Sequence, residues 1–361
     1  MKDFFEARVH VRALALLRIL AGPIVLVHLY PFWQRVAVHD YYFADAFFVP
    51  FFDWWPVLSK GAYIAVLSAG LASAVLMSLG LLSRLSSALT LGIVAFNVLS
   101  NQLFFHHNRA FLMAILFGLT LCESGRTLSL DSVLQRRRGR PLEPHTRRWR
   151  LMLFRVLACT PYIASGFSKL IDADWWSGTV MRLRIQRGRE IAESKGVPEW
   201  LLDTIATEGF NALMWKFVVL TEIFIGVGYW FRRTRSAAVF MALGFHLFIE
   251  VTSTVMVFSY LGVCATLIWV VPKTRDRTLW LHDNDAKAHR IARFVRWFDW
   301  LERFDVRWRK DGPVIELVDR DGSRYAGRSA SRLVFSRLPL LAPLFLPLLL
   351  LPRHKLSDPS E

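Results

Sequence analysis

The sequence has few of the features that mark disulfide-linked proteins, metalloproteins or common hydrolases. Its three cysteines, Cys122, Cys159 and Cys264, are far apart, and each lies in or at the end of an apolar run. No CxxC pair or zinc-ligand spacing is present. The sequence also contains no nucleophile elbow, HExxH, P-loop or GxGxxG motif. These absences argue against a disulfide framework, a metal site, and the hydrolase, zinc-protease and nucleotide-driven pump classes.

The composition is that of a membrane protein. Hydrophobic residues make up 54% of the 361 residues and the mean hydropathy is +0.33, which is too apolar for a soluble chain of this length. Aromatic residues, at 14%, fit the belts that form at membrane interfaces. The net charge of +16 reflects arginines concentrated between apolar runs, as topology signals are. The lipid bilayer is therefore the expected partner, and no nucleic-acid partner is expected.

Apolar runs close to the roughly 20 residues needed to cross a bilayer recur along the chain before residue 273. They predict an all-α polytopic membrane bundle of about eight transmembrane helices over residues 1–272. The fourth run is short, which suggests a tilted helix or one that borrows length from its neighbours. The runs are 12–31, 61–83, 86–105, 109–122, 151–170, 212–231, 236–252 and 255–272.

The distribution of arginine predicts the orientation of this bundle. The connection between the fourth and fifth runs is rich in arginine and poor in acids, an imbalance typical of cytoplasmic loops. Counting outward from it places both termini in the cytoplasm and the connections 33–60 and 171–211 on the outer side. The long 171–211 connection has mixed charge, and parts of it are expected to form amphipathic helix at the outer surface.

Residues 273–361 are more polar and are expected to form a small cytoplasmic α/β appendage. Residues 314–325 predict two short strands about an Asp321-Gly322 turn. The apolar run from Leu338 to Leu351 is interrupted by prolines, and at about 14 residues it is too short for a span. We interpret it as an interfacial or re-entrant segment.

One lysine stands at the outer end of a predicted membrane helix. Tyr162, Ser165 and Gly166 precede Lys169 by seven, four and three residues, spacings that place them on or near one helix face. Lysines at helix ends commonly extend their ammonium groups to the headgroups. An ionisable group in this position is also a candidate functional residue.

Polar residues of other predicted helices fall at a similar depth. His246 and Glu250 are spaced i,i+4 on the seventh run, and His28 lies at the outer end of the first. The fourth run begins at His106-His107-Asn108-Arg109. A charge at the bilayer centre costs about 2.5 to 3.5 kcal/mol on insertion scales, so Glu250 and the mid-span Glu222 are expected to face the bundle interior. Together these residues predict one polar cavity that opens outward.

Each residue also has an ordinary structural explanation. A single helical histidine is often a packing residue, and Glu222 could be a buried acceptor that holds helices together. As a group the residues suggest base chemistry, because a lysine kept neutral by burial can act as a general base. Nearby imidazoles can donate hydrogen bonds to a developing oxyanion, and Glu250 could orient His246.

Three segments carry a family resemblance. The first is Gly166-Phe-Ser-Lys169-Leu followed by Asp172-Ala-Asp-Trp175, the second is Phe245-His246 followed by Phe258-Ser-Tyr260, and the third is His106-His107-Asn108-Arg109 leading into Phe117-Gly-Leu-Thr120. They resemble segments of the vitamin K-dependent γ-carboxylases and their bacterial relatives with the horizontally transferred transmembrane (HTTM) domain. The first is similar to the carboxylase Gly-Val-Lys-Lys-Leu-Asp-Ala-Asp-Trp, with one inserted residue. The three matches span about residues 10–272.

The resemblance implies a bacterial-type integral membrane enzyme that couples quinol oxygenation to proton abstraction and carboxylation. In these carboxylases a lysine deprotonates vitamin K hydroquinone, reaction with oxygen gives a stronger base, and the resulting glutamate carbanion captures CO2. The implied cofactor is vitamin K hydroquinone or a related quinol, with O2 and CO2. The implied partners are a quinone and a glutamate-containing protein or peptide substrate. The implied location is the bacterial inner membrane, with the cavity facing the periplasm.

The resemblance also implies roles for individual residues. Lys169 matches the family's base, and His246 matches a histidine proposed to stabilise the carbanion stage. His107, the third catalytic candidate, and Asn108 correspond to a pair that holds the quinone anion, here in reversed order. The implied binding residues are Asn108, His106, Tyr162, Trp175 and Glu250. No metal ligand is expected.

Two other hypotheses stay open. The same polar cavity could belong to a transporter or to a lipid- or quinone-binding membrane protein that does not carboxylate. No inverted repeat or pair of broken helices is visible in the sequence, which weighs against a transporter. The chain could also be an assembly or scaffold protein that keeps the fold and has lost the chemistry.

Overall fold

The computed structural model describes residues 2–42, 45, 47–253, 257–270, 275–338, 341 and 344. The chain divides into two compact units, Met1–Phe231 with Met241–Val270, and Arg232–Phe240 with Val271–Glu361. The first unit is mainly helical, and a short antiparallel pair joins β1 (Arg8–His10) to β2 (His145–Arg147) within it. The helices up to residue 270 are α1 (Lys2–Glu6), α2 (Arg12–Ala37), α3 (Lys60–Leu79), α4 (Ser83–Leu99), α5 (His107–Leu121), α6 (Leu130–Arg137), α7 (Arg148–Ile171), α8 (Ala173–Trp176), α9 (Thr179–Ser194), α10 (Glu199–Ala206), α11 (Glu208–Gly228), α12 (Arg235–Thr252) and α13 (Phe258–Thr266).

Helices form at all of the predicted apolar runs, but they differ in length. Among the described residues, five helices are long and apolar enough to cross a membrane, namely α2, α3, α7, α11 and α12. The apolar helices α4 and α5 are shorter, and the last run is helical over α13. A polar cap sets the start of α5, because the ring of His106 accepts the backbone N–H of Asn108 at 3.2 Å. Of the roughly eight predicted spans, five are therefore long and apolar enough to cross a membrane among the described residues. The orientation of the bundle stays a prediction.

The elements that carry Lys169 are held together by a tight helix contact and a capped turn. α7 and α11 approach closely at Gly166, where a Cβ atom would lie 2.8 Å from Cγ1 of Ile223. The Asp172 side chain caps α8 by accepting the backbone N–H of Asp174 at 2.9 Å. Gly178 links α8 to α9 in the left-handed conformation, at φ +75°. This turn folds the chain back beside the end of α7.

The second unit contains a four-stranded sheet. Its strands are β3 (Arg277–His282), β4 (Phe304–Arg309), β5 (Ile315–Val318) and β6 (Arg324–Ala326), and its helices are α14 (Ala286–Phe298) and α15 (Gly327–Phe335). The strand order is β4-β3-β5-β6, with β3 parallel to β4 and the other pairs antiparallel. Leu279 and Leu281 of β3 alternate into a core that Ile291 and Leu333 complete from the two helices.

The predicted hairpin of residues 314–325 is confirmed. Val318 of β5 pairs with Arg324 of β6, and Gly322 in the turn has φ +79°. The cytoplasmic placement of this unit stays a prediction. The apolar run from Leu338 to Leu351 lies largely outside the described residues, which include only its positions 338, 341 and 344.

Candidate functional site

Lys169 forms a buried ion pair with Glu222 of α11. The Lys169 Nζ atom lies 2.5 Å from Glu222 Oε2 and 2.7 Å from Ser165 Oγ. Ser165 Oγ in turn donates to Glu222 Oε1 at 3.1 Å. The side chains of Lys169 and Glu222 are only 12% and 6% exposed. The ammonium group of Lys169 therefore turns into the bundle and binds a carboxylate. It does not extend towards the lipid headgroups.

Trp175 packs its ring over this ion pair. The Nζ atom of Lys169 is 4.9 Å from the centroid of the Trp175 ring, and the Cζ atom of Arg184 is 5.4 Å from the same centroid. Trp175 is buried in a cluster with Met181 and Trp215. Arg184, on α9, is exposed. The Asp-Ala-Asp-Trp turn thus adds an aromatic face to the predicted lysine site.

Tyr162 and His246 form a second polar pair. The Tyr162 hydroxyl and His246 Nε2 are 2.6 Å apart, with the direction of donation set by the histidine tautomer. His246 is 1% exposed, and its ring lies against Gly262 of α13, where a Cβ atom would be 1.8 Å from Nε2. In the described part of the chain, Nδ1 of His246 has no hydrogen-bond partner. The absent side chain at position 262 makes room for the imidazole.

The two pairs lie along one helix. Tyr162 and Lys169 are two turns apart on α7, which is about 10 Å along the axis. Ser165 lies between them and binds both Lys169 and Glu222. Three helices therefore contribute side chains to one polar line, with α7 providing the shared face that the sequence spacing predicts.

A small cavity borders the Tyr162 and His246 pair. Its volume is about 10 Å³, which is room for about one water molecule and far less than the roughly 300 to 1,000 Å³ typical of small-molecule sites. Its walls are largely apolar and aromatic. The lining residues are Phe111, Ala158, Pro161, Tyr162, His246, Phe258, Gly262 and Ala265.

The histidines that open α5 lie apart from this line. His106 and His107 are exposed, and the ring of His107 lies 5.9 Å from that of Phe105 and 6.0 Å from that of His106. Asn108, the next residue, is buried. Within the described ranges, neither histidine ring bonds to or stacks on Lys169 or His246. The structure thus joins Lys169, Trp175, Tyr162 and His246, but it does not bring His106 or His107 to them.

Glu250 does not orient His246, contrary to expectation. Its Oε1 atom accepts the Tyr260 hydroxyl at 3.4 Å, and its backbone carbonyl accepts the Lys195 ammonium. These contacts lie at the end of α12. His246, one turn earlier, directs Nε2 to Tyr162. The i,i+4 spacing places both residues on one face, but it does not determine which partner each one finds.

His28 belongs to a different polar cluster. It is 1% exposed, and its ring packs edge-on against Phe32 at 5.6 Å. The Cζ atom of Arg109 lies 5.2 Å from the centroid of that same Phe32 ring. Among the described residues, neither nitrogen of His28 has a hydrogen-bond partner.

The sequence does not predict Glu222 or Arg184 as partners of Lys169. Glu222 is expected there only to face the bundle interior, where it could hold helices together, although a membrane lysine needs a counter-charge and a mid-span acid is the natural candidate. Arg184 has no distinguishing signal, because it is one of several arginines in the 171–211 connection.

Comparison of the chain with curated proteins and with solved structures gives no significant match. The family model of the HTTM domain matches residues 7–273. The matched range contains both the Lys169–Glu222 pair and the Tyr162–His246 pair. With its five long apolar helices, the chain is an integral membrane protein that belongs to the HTTM-domain family.

Proposed function

We propose that this protein is a membrane enzyme of the γ-carboxylase type, which uses a quinol and oxygen to abstract a proton and carboxylate an acceptor. The observation that carries the proposal is the buried cluster of Lys169, Glu222 and Ser165 on facing helices. The proposed cofactor is vitamin K hydroquinone or a related quinol, with O2 and CO2. The proposed acceptor is a glutamate-containing protein or peptide, and the proposed site opens to the outer side of the bacterial inner membrane.

The side chains that line the cavity are of the chemical types that would bind a quinol ring. Phe111, Tyr162 and Phe258 offer aromatic walls to a flat ring. His246 Nδ1 is buried without a partner in the described part of the chain, so it is available to bind a ring oxygen. At about 10 Å³, the cavity must widen to admit the ring. Because Lys169 does not line it, the widened space must also reach Nζ before the lysine can take a quinol proton.

Lys169 and Glu222 supply the proton chemistry in this proposal. Their contact of 2.5 Å allows a proton to pass from Nζ to Oε2, which converts an ion pair into a neutral amine and a neutral acid. A low-dielectric interior favours neutral forms, and the neutral amine is the form that accepts a proton. A bound quinol supplies an acidic hydroxyl and, once deprotonated, reactivity towards oxygen. The Trp175 face then stabilises the ammonium that Lys169 regains.

Tyr162 and His246 act as the anion-stabilising group. The Tyr162 hydroxyl fixes the imidazole through Nε2, and Gly262 and Phe258 of α13 pack against the ring. A fixed ring places Nδ1 without reorganisation, which is the condition for effective electrostatic stabilisation of a developing negative charge.

The test is formation of quinol epoxide by purified protein under oxygen. We expect Lys169→Ala to lose about 10²-fold to 10⁴-fold in rate, the range typical of removing a general base. Lys216→Ala is the matched control, because Lys216 is an exposed lysine on α11 that lies over Trp215. Equal rates for Lys169→Ala and wild type would exclude Lys169 as the base. Quinone binding by the wild type without any epoxide would support the lipid- or quinone-binding alternative.

A further inference from the structure

The second unit presents a helix with a strongly basic exposed side. α14 contains no Asp or Glu. Its buried side packs into the core of the unit through Ala288, Ile291, Ala292 and Val295. The opposite side is exposed and carries the cations Lys287, Arg290, Arg293 and Arg296. None of these four cations takes part in an ion pair within the described residues.

Two tryptophans extend this exposed side at the end of α14. Trp297 and Trp300 are 71% and 63% exposed. The Trp300 indole N–H donates to the Trp297 backbone carbonyl at 2.7 Å, which fixes the Trp300 side chain against the end of α14. Paired indoles beside clustered cations mark an interaction surface, because a solvated helix face has no need of large apolar rings. We name the six residues Lys287, Arg290, Arg293, Arg296, Trp297 and Trp300 the α14 face.

The acids near this face are engaged with other groups. Asp285 caps α14 by accepting the backbone N–H groups of Lys287 and Ala288. Asp299 is buried and accepts the backbone N–H groups of Arg303 and Phe304. The hydrogen bonds of both carboxylates go to backbone N–H groups, and among the described residues neither forms an ion pair with the four cations of the α14 face.

We propose that the α14 face docks on the anionic phospholipid headgroups of the membrane surface. Clustered lysine and arginine side chains attract anionic lipid, and indole rings settle at the boundary between headgroups and acyl chains. The long apolar helices of the same chain keep the unit at a bilayer, so docking requires no recruitment from solution. The inference does not depend on the proposed enzymatic activity.

The experiment uses the full-length protein in vesicles. Cys122, Cys159 and Cys264 are buried, so one introduced surface cysteine can carry an environment-sensitive fluorophore. The probe position is Trp297→Cys, and the matched control is Asp321→Cys at the exposed turn between β5 and β6. Vesicles contain phosphatidylcholine alone or with phosphatidylglycerol, and brominated lipids serve as quenchers.

We expect phosphatidylglycerol to shift the emission at position 297 to shorter wavelength and to increase its quenching several-fold, while the probe at 321 stays unchanged. High salt should reverse the effect by screening. Adding Arg293→Gln or Arg296→Gln should lower the ratio of docked to free unit by about five-fold each. Both changes lie on the exposed side, and circular dichroism checks that the variants fold.

Two results would overturn the proposal. Equal quenching at position 297 with and without phosphatidylglycerol would remove anionic lipid as the partner. Quenching or self-quenching that follows the protein-to-lipid ratio instead would assign the face to a second copy of the chain.

Discussion

At the scale of the residue, Lys169 is defined by its counter-ion. Glu222 and Ser165 satisfy its ammonium inside the bundle, and both carboxylate oxygens of Glu222 are bonded. Removing one partner of a buried ion pair leaves an uncompensated charge, whereas replacing both partners with apolar side chains does not. The pair can therefore be tested as a unit, apart from any chemistry.

We expect Glu222→Gln to lower the free energy of unfolding by about 3 to 5 kcal/mol, the usual cost of breaking a buried pair. The double variant Lys169→Met/Glu222→Leu should recover most of that loss, because it buries no charge. Chemical unfolding in lipid micelles measures both. Glu208→Gln is the control on the same helix, an exposed first-turn acid whose loss should cost no more than about 1 kcal/mol.

The double variant also separates the two roles of the pair. If it is stable and forms no quinol epoxide, the pair acts in the chemistry as well as in the fold. If it is stable and forms epoxide at the wild-type rate, Lys169 and Glu222 only hold α7 and α11 together. In that case another residue must act as the base.

At the scale of the element, spacing along a helix is predictable and contact between helices is not. The shared face of Tyr162, Ser165 and Lys169 follows from helix geometry alone, and the structure bears it out. The partners Glu222 and Gly262 come from other helices. Their contacts depend on how closely α7, α11, α12 and α13 approach, which a single sequence does not encode in any local pattern.

The contact between α12 and α13 gives a prediction at this scale. In Gly262→Ala the new Cβ atom would lie 1.8 Å from His246 Nε2, so the imidazole must move and lose its bond to Tyr162. We expect a loss of stability of about 1 to 3 kcal/mol from overpacking, together with a lower rate of epoxide formation. Thermal unfolding and the epoxidation assay measure these effects.

The control for this change is Gly244→Ala. Gly244 lies on α12 with His246, and a Cβ atom there would meet nothing within 4 Å. It therefore adds the same methyl group to the same helix pair without contact. Equal stability and rate for the two variants would mean that His246 does not occupy the position next to Gly262.

At the scale of the whole molecule, the second unit was predicted only in part. The β5–β6 hairpin was accessible because its Asp321-Gly322 turn is a local signal. β3 and β4 pair in parallel across the crossover helix α14, and such pairing joins segments that are distant in sequence. The sequence therefore predicts one hairpin in this polar segment, whereas the structure shows a four-stranded sheet with its own core.

This second unit should lose stability in acid through Asp319. Burial raises the pKa of its carboxyl, but hydrogen bonds and charge from Arg337 and Arg277 outweigh burial and lower the pKa to about 2. An unfolded aspartate has a pKa near 3.9, so the stabilisation is complete above about pH 4 and is lost as the pH falls towards 2. It amounts to about 2 kcal/mol at neutral pH.

Hydrogen exchange of β3 and β5, corrected for intrinsic rates, should show this loss in wild type. It should be absent in Asp319→Asn and kept in Asp311→Asn, which changes an exposed loop acid; the same acid sensitivity in Asp319→Asn would place its origin elsewhere.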